Sequence, residues 1–453
     1  MRSKLNHPGA FKAALLCMLL SFFVGCKKDV KSPDPASLPN VYSENAANKN
    51  QHESAGVALD WYKLQLRILL ERNSAFNGNY FGYIGIGLYE SVRYGIKNSV
   101  SFSTKLYQMP AMPAKENNNG YHYQISANAA MASMVRSFFT GLTPGNIASI
   151  DSLENAYNQK LTPAEGSESF RRSQSFGRSI AAAIYNWYLT DNINTSNAGY
   201  VLPPAFPGSW VPTPPAFANP IAPYVSAART FVAADLTAIA PPFPAAYSED
   251  PNSDFYKIVK NVYDVSQSLT TEQKNIALYW VDQGNGVGYT PGGHDLSLVT
   301  QALEQTNASL YTAAEAYAKA GIAERDGGIV CFRSKYAYFL LRPVTYIRHL
   351  INPTWSSFIP TPPHPEYPAA HAAITGSVME AVTKVLGDNV TFTDHTYDFR
   401  GWAPRTFTSL IQAAGEAGIS RLYGGIHYLP SINAGLVLAH VVGSRIGDIQ
   451  LHE

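Results

Sequence analysis

Five basic side chains stand in an order that suits the binding of a tetrahedral oxyanion. Lys335 and Arg342 open the series in Lys335-Tyr-Ala-Tyr-Phe-Leu-Leu-Arg342-Pro343. His371 follows in Tyr367-Pro368-Ala369-Ala370-His371, and Arg421 and His427 close it in Ser420-Arg421-Leu-Tyr-Gly-Gly-Ile-His427. Three cations that do not easily lose their charge compensate a multiply charged anion taken out of water. Arg forks match paired oxygens, and Lys supplies a point charge. A neutral imidazole beside them can bond a central atom or move a proton. Lys335 and Arg342 are seven residues apart, about two helical turns, so both are expected on one face of one helix. Pro368 to His371 runs into an apolar, helix-forming stretch from Ala372 to Leu386. That places the backbone N–H groups of Ala369, Ala370 and His371 at a helix N-terminus, where anions bind. Gly424-Gly425 lets backbone approach closely between Arg421 and His427.

These three pieces resemble the pattern K-x6-R-P, then P-S-G-H, then S-R-x5-H of the superfamily of vanadium-dependent haloperoxidases and type 2 phosphatidic acid phosphatases (PAP2). The spacings of the first and third pieces match; in the second, Ala369 and Ala370 replace Ser and Gly. The resemblance implies an all-α fold of two packed helical bundles, with vanadate as cofactor. Lys335, Arg342, Ala369, Ala370, Arg421 and His427 would hold it. In a peroxidase His427 would be the axial vanadium ligand and His371 would help deprotonate bound peroxide. In a phosphatase, where phosphate takes the same pocket, His427 would form a phosphohistidine and His371 would protonate the leaving oxygen. The family often places Asp four residues after the ligating His. Ser431 stands there in this chain, so its hydroxyl, or a backbone carbonyl, is expected to fix the second nitrogen of His427. Ala369 lacks a hydroxyl for an anion oxygen, a loss worth about 1–3 kcal/mol. His364, seven residues before His371, falls where the haloperoxidases carry the halide path and resembles the His of bromide-oxidising members. Asp282, and His294 in Thr290-Pro-Gly-Gly-His294, resemble supporting pieces of related peroxidases, Asp282 being expected to pair with Arg421. Glu366 receives no role.

Three functions stay open on these residues. The first is a haloperoxidase-like oxidoreductase using hydrogen peroxide, a halide (bromide or iodide before chloride) and a small organic acceptor. The second is an acid phosphatase acting on phosphomonoesters. The third is a non-catalytic surface lipoprotein that binds an anion or a glycan. There is no HExxH, CxxC pair, Walker loop or nucleophile-elbow Ser.

The elements that must position these residues read as helices. Val57, Trp61, Leu64 and Ile68 recur at helical steps. Four to five helices are expected between Ala55 and Thr190, with Thr143 capping one of them. Gly82, Gly85 and Gly87 predict close helix packing. Val201 to Tyr224 carries eight prolines and is expected to form an extended strap anchored by Phe206, Trp210 and Phe217. Helices resume at Phe255, with a capping box at Thr270-Thr-Glu-Gln273. Ala313 to Gly328 and Cys331 to Leu341 read as separate helices, and Thr408 to Arg421 and Asn433 to Ile446 as the last two. Gly435, Ala439 and Gly443 form a small-residue stripe on the final one. The expected division is 52–224 for a first bundle with the strap and 225–453 for a second bundle carrying the site.

The chain of 453 residues is large enough for this, and its net charge of +1 gives no support for nucleic-acid binding by a global basic surface. Residues 1–26 read as a leader. Arg2, Lys4 and Lys12 precede the short apolar run Ala13 to Val24, and Gly25-Cys26 resembles a lipoprotein processing site. Cys26 would carry lipid, and residues 27–51 would be a polar tether. That implies an exported, membrane-anchored protein at the periplasmic face or cell surface, touching the membrane through the anchor alone. Cys331, the remaining cysteine outside the leader, lies in an apolar run and reads as a buried thiol.

Overall fold

Short hydroxyl side chains start many of the helices. In the computed structural model, which describes residues 53–71, 80–116, 120–161, 168–193, 195–283 and 288–452, Thr270 and Gln273 form a reciprocal capping box, and Ser253, Thr290, Ser309 and Ser409 each accept a backbone N–H of the first turn. The leader, Cys26 and the tether lie outside the described residues.

The first helices are α1 (Gly56–Glu71), α2 (Phe81–Val92), α3 (Tyr123–Phe138), α4 (Pro144–Leu161) and α5 (Glu168–Tyr188). Thr143 accepts from the N–H of Asn146 at 3.1 Å, as its capping position predicts. After a long irregular stretch come α6 (Asp254–Gln267), α7 (Thr271–Tyr279), α8 (Pro291–Gln305), α9 (Leu310–Tyr338), α10 (Pro343–Leu350) and α11 (Ala370–Leu386). A two-stranded antiparallel ribbon, β1 (Phe392–Asp394) with β2 (Arg405–Phe407), pairs Thr393 with Thr406. Then α12 (Leu410–Tyr423) and α13 (Leu429–Gly447) complete an all-α fold.

The 29-residue helix α9 is the axis of the core, buried along most of its length, with α2, α11 and α13 packed on it. One apolar cluster runs from Ala55 to Leu451, so both halves of the chain share it. Small residues set the approach of these helices. A Cβ on Gly85 would lie 2.5 Å from the Tyr317 carbonyl oxygen on α9, and one on Gly443 2.6 Å from the Ser377 carbonyl oxygen on α11. The expected break between Gly328 and Cys331 is absent: α9 is continuous. Gly327 serves packing rather than termination, since a Cβ there would meet the Ser377 hydroxyl at 2.8 Å.

The helix does end before Arg342, which corrects the expectation that Lys335 and Arg342 share one helical face. Phe339 takes a left-handed conformation (φ 52°), and Arg342 is the extended residue before α10. Pro343 accounts for the extended Arg342, because a proline disfavours helical conformation in its predecessor, while α9 itself stops at the left-handed Phe339.

The irregular segment that follows the Pro-rich strap, residues 226–240, takes backbone partners from side chains of α9. Asp326 accepts the N–H groups of Phe231 and Val232 at 2.7 and 2.8 Å. Ser334 accepts from Ala240, and Arg333 donates to the carbonyls of Ser226, Asp235 and Ala238. Trp210 is buried, and its N–H donates to the Phe339 carbonyl at 2.7 Å. Phe206 and Phe217, expected as further anchors, are 49% and 62% exposed. The strap is held at its backbone instead: the Leu341 N–H donates to the Gly208 carbonyl at 2.9 Å, and the Ile221 N–H to the Pro363 carbonyl at 3.0 Å.

Candidate active site

The predicted basic residues converge from five places along the chain. Lys335 comes from the last turn of α9, Arg342 from the turn into α10, His371 from the first turn of α11, Arg421 from the last turn of α12, and His427 from the loop into α13. All but His371 are 2% exposed or less. Lys335 donates to the carbonyls of Pro365, Glu366 and Pro368 at 3.1, 2.8 and 2.5 Å. Arg342 spans the site: Nε donates to the His364 carbonyl at 3.0 Å, and Nη1 to the Ile426 carbonyl at 2.8 Å and to Nε2 of His427 at 3.1 Å. Arg421 donates from Nε to the Ser420 hydroxyl at 2.9 Å and from Nη2 to the Trp280 carbonyl. None of the three cations forms an ion pair with a described residue. Burial draws all three below their ordinary values, and Arg342 adds to the effect on Lys335.

His427 is oriented by Glu366, the residue that sequence reasoning left without a role. Nδ1–H donates to Glu366 Oε1 at 2.8 Å, which leaves Nε2 unprotonated and turned toward Arg342. The same oxygen accepts the Tyr428 N–H at 3.0 Å, and Oε2 accepts the Ser431 hydroxyl at 2.7 Å. Ser431 therefore does not touch the imidazole as expected; it holds the carboxylate that does. Its carbonyl also accepts the Ala369 N–H at 3.0 Å. This corrects Ala369 as an anion donor, since its N–H is already engaged. The next N–H groups, of Ala370 and His371, lie in the first turn of α11 and have no intrahelical acceptor. The signal for Glu366 was present in the sequence: a lone charge in an apolar, Pro-rich run between His364 and His371.

His371 has a different support. Its Nε2–H donates to Asp282 Oδ2 at 3.1 Å, leaving Nδ1 as its proton acceptor. Asp282 Oδ1 takes His294 Nδ1–H at 2.9 Å and the Tyr397 hydroxyl at 2.6 Å, and His294 Nε2–H goes on to Asp394 Oδ2 at 2.9 Å. Asp282 was expected to hold Arg421; it holds His371 and His294 instead, because its backbone (φ 47°) turns the carboxylate toward α8 and α11. Burial would raise Asp282, but His294 and His371 outweigh it and hold it low. Burial would lower His294, but its two carboxylates push it up to about 10, so it is a cation. His371, pushed down to about 4 by burial and by Arg421, is neutral. Burial and the surrounding cations hold His427 and His364 well below the ordinary imidazole range.

His364 is buried, and its Nδ1 accepts from Arg342 Nη2 at 3.0 Å. Together with His371, His427 and Arg421 it lines a cavity of about 500 Å³ whose other walls are largely apolar. The assembled set can hold a compact anion, offer a nitrogen lone pair to it and exchange a proton beside it.

Known proteins match this fold. The family described as the VCPO second helical-bundle domain matches residues 350–450. A bacterial vanadium-dependent iodoperoxidase of known crystal structure superposes with a TM-score of 0.77 at 29% identity, covering 90% of this chain and 97% of that one. A bacterial vanadium-dependent chloroperoxidase superposes in its apo form with a TM-score of 0.59 at 15% identity, covering 90% and 98%. Its holo form gives the same score and identity over 91% and 96%; at that identity the likeness is one of fold. A search of curated protein sequences gives no match.

Proposed function

We propose that this chain, whose fold and whose residues 350–450 match vanadium haloperoxidases, is an enzyme of that superfamily that oxidises iodide or bromide with hydrogen peroxide, with vanadate as its bound cofactor. One observation carries this reading. Lys335, Arg342 and Arg421 are buried together without an ion-pair partner among the described residues, beside a His427 whose Nε2 is unprotonated. Glu366 and Asp282 offset part of this charge, and the positive surplus calls for a counter-ion. The donor set therefore fits vanadate, which needs cationic donors for its oxygens and a neutral imidazole for its metal.

Bound vanadate would supply a Lewis-acidic centre that activates peroxide toward attack by halide. The chain's own residues do the rest. Lys335, Arg342 and Arg421 hold the oxygens, with the N–H groups of Ala370 and His371 beside them. Glu366 keeps His427 in the tautomer that presents Nε2. Asp282 fixes the tautomer of His371 with Nδ1 open, and burial with Arg421 keeps the ring neutral, ready to take a proton from peroxide at neutral pH. His364 sits on the cavity wall where a halide would approach Arg342. The 29% identity to an iodoperoxidase supports iodide or bromide over chloride.

The test is peroxide-dependent oxidation of iodide and bromide, with and without added vanadate, alongside His427→Ala. Turnover that needs vanadate and is lost in the variant supports the reading. Silence under saturating vanadate, with release of phosphate from a phosphomonoester, would replace it with the phosphatase. We propose equally that the chain is exported and anchored through lipid on Cys26, supported by the leader's charge and apolar pattern. Labelled fatty acid should enter the wild type and not Cys26→Ser.

A further inference from the structure

The cavity bounded at one end by His371 and His427 has a carboxyl on its wall that the chemistry above does not use. Glu324 of α9 is 8% exposed and lines the cavity. No described residue hydrogen-bonds its side chain. The bare backbone of Gly292 makes room for it: a Cβ there would fall 1.8 Å from Glu324 Oε1. The wall around it is apolar, formed by Ile221, Val225, Ile329, Phe332 and Ile374. Burial, with Asp295 adding to it, pushes Glu324 well above the ordinary carboxylate range, so it is a neutral acid that can both donate and accept.

This chemistry selects among ligands. An anionic ligand would be drawn away to Arg421. A cationic one meets Arg421 on the same cavity, where the carboxylate of Asp282 is already engaged by His294, His371 and Tyr397. A neutral ring bearing a hydroxyl meets apolar walls and one matching hydrogen-bond group, in a space within the range of small-molecule sites. We propose that this wall binds a neutral phenol, its ring among Ile329, Phe332 and Ile374 and its hydroxyl on the Glu324 carboxyl, as the organic acceptor of the reaction. Binding stands on the cavity alone; the fate of the phenol rests on the halide-oxidising reading. In that reaction hydrogen peroxide oxidises the halide to hypohalous acid. The ring then gains a carbon–halogen bond, loses a C–H bond, and the released proton leaves with hydroxide as water.

Calorimetric titration of the whole chain with 4-ethylphenol and with its methyl ether, 4-ethylanisole, tests the site in wild type, Glu324→Gln and Glu324→Leu, each checked by thermal melting. The phenol should bind wild type at least tenfold tighter than the ether. Glu324→Gln should keep that preference and Glu324→Leu should abolish it. Equal binding of phenol and ether to wild type overturns the proposal, as does an unchanged preference in the Leu variant or loss of preference in both. Should Glu324→Leu fail to fold, the ether comparison in wild type decides. Iodide oxidation measured without phenol is a separate readout. Its failure, with phenol binding intact, overturns the halide reading and leaves the binding site standing.

Discussion

Replacing Glu366 by Gln keeps the shape and removes an acid that burial pushes up to about 7, with Ser431, Arg342 and Lys335 favouring its charged form. In the native site the carboxylate accepts from His427 Nδ1, the Tyr428 N–H and the Ser431 hydroxyl at 2.8, 3.0 and 2.7 Å. The Gln carbonyl can still accept from His427 and Tyr428, and its amide can donate to Ser431, whose hydroxyl is free to turn. What is lost is charge assistance on the imidazole. A hydrogen bond to a charged group is worth about 1.5–3 kcal/mol and a neutral one about 0.5–1.5, so His427 becomes a weaker donor by about 1–2 kcal/mol, near tenfold in a bond made through Nε2. Removal of the carboxylate also leaves Lys335 and Arg342 less compensated, which favours any anion. The two effects oppose each other, and a single affinity would confuse them. Vanadate and phosphate share charge and shape, so the charge effect cancels in the ratio of their affinities, whereas only vanadate gains from the imidazole. Competitive calorimetric titration should therefore show the vanadate-to-phosphate preference falling about tenfold in Glu366→Gln. A ratio equal to that of wild type would refute the assignment of His427 as the ligand and Glu366 as its tuner.

Other expectations are open to the same protein preparations. Asp282→Asn takes one of two carboxylates from the buried His294 cation and should destabilise the fold by about 3–5 kcal/mol, read by urea unfolding; a loss under 1 kcal/mol would say that Asp282 carries no such burden. Ala369→Ser puts a capping hydroxyl at the residue before α11 and should add about 1 kcal/mol of stability and tighten vanadate several-fold; weaker vanadate binding would mean that a hydroxyl does not reach the anion. His371 is held at about 4 against an ordinary 6.5, so between these values the unfolded chain takes up a proton that the folded chain refuses. Stability from this residue is thus present above pH 6.5 and lost as pH falls toward 4, by about 1.4 kcal/mol per unit. The advantage of wild type over His371→Gln should shrink at that rate between pH 6.5 and 4.5 in denaturant titrations, and a flat difference would show that His371 is not held neutral.

Much of this site was legible because its chemistry depends on residue type and order along the chain. Cations and imidazoles at fixed spacing pointed to residues that the fold brings together, and the small-residue stripes of α2 and α13 foretold tight helix contacts. What escaped the sequence was pairing between distant segments. Arg342 reaches the site although Pro343 ends helical conformation before it, so the seven-residue spacing served a turn and not a helix face. Asp282 was read as the partner of Arg421, and only the fold brings His294 and His371 to its carboxylate. Glu366 escaped because His427, whose nitrogen it holds, lies 61 residues further on. Helix periodicity was reliable where one face is solvated, as in α1, and less so in α9, where burial on all sides hides the period and glycines imitate a boundary.

The three carbonyl bonds of Lys335 carry a consequence for how the site is loaded. An ammonium has three protons, and the carbonyls of Pro365, Glu366 and Pro368 accept all of them. An arriving oxyanion must share or displace one, and the residues released belong to the segment that carries His364, Glu366 and the approach to His371. Anion exchange and the mobility of residues 364–368 are therefore one equilibrium seen from two sides. A variant that loosens this loop would speed the entry of vanadate and its escape together, so residence time can be tuned without touching any group that holds the anion.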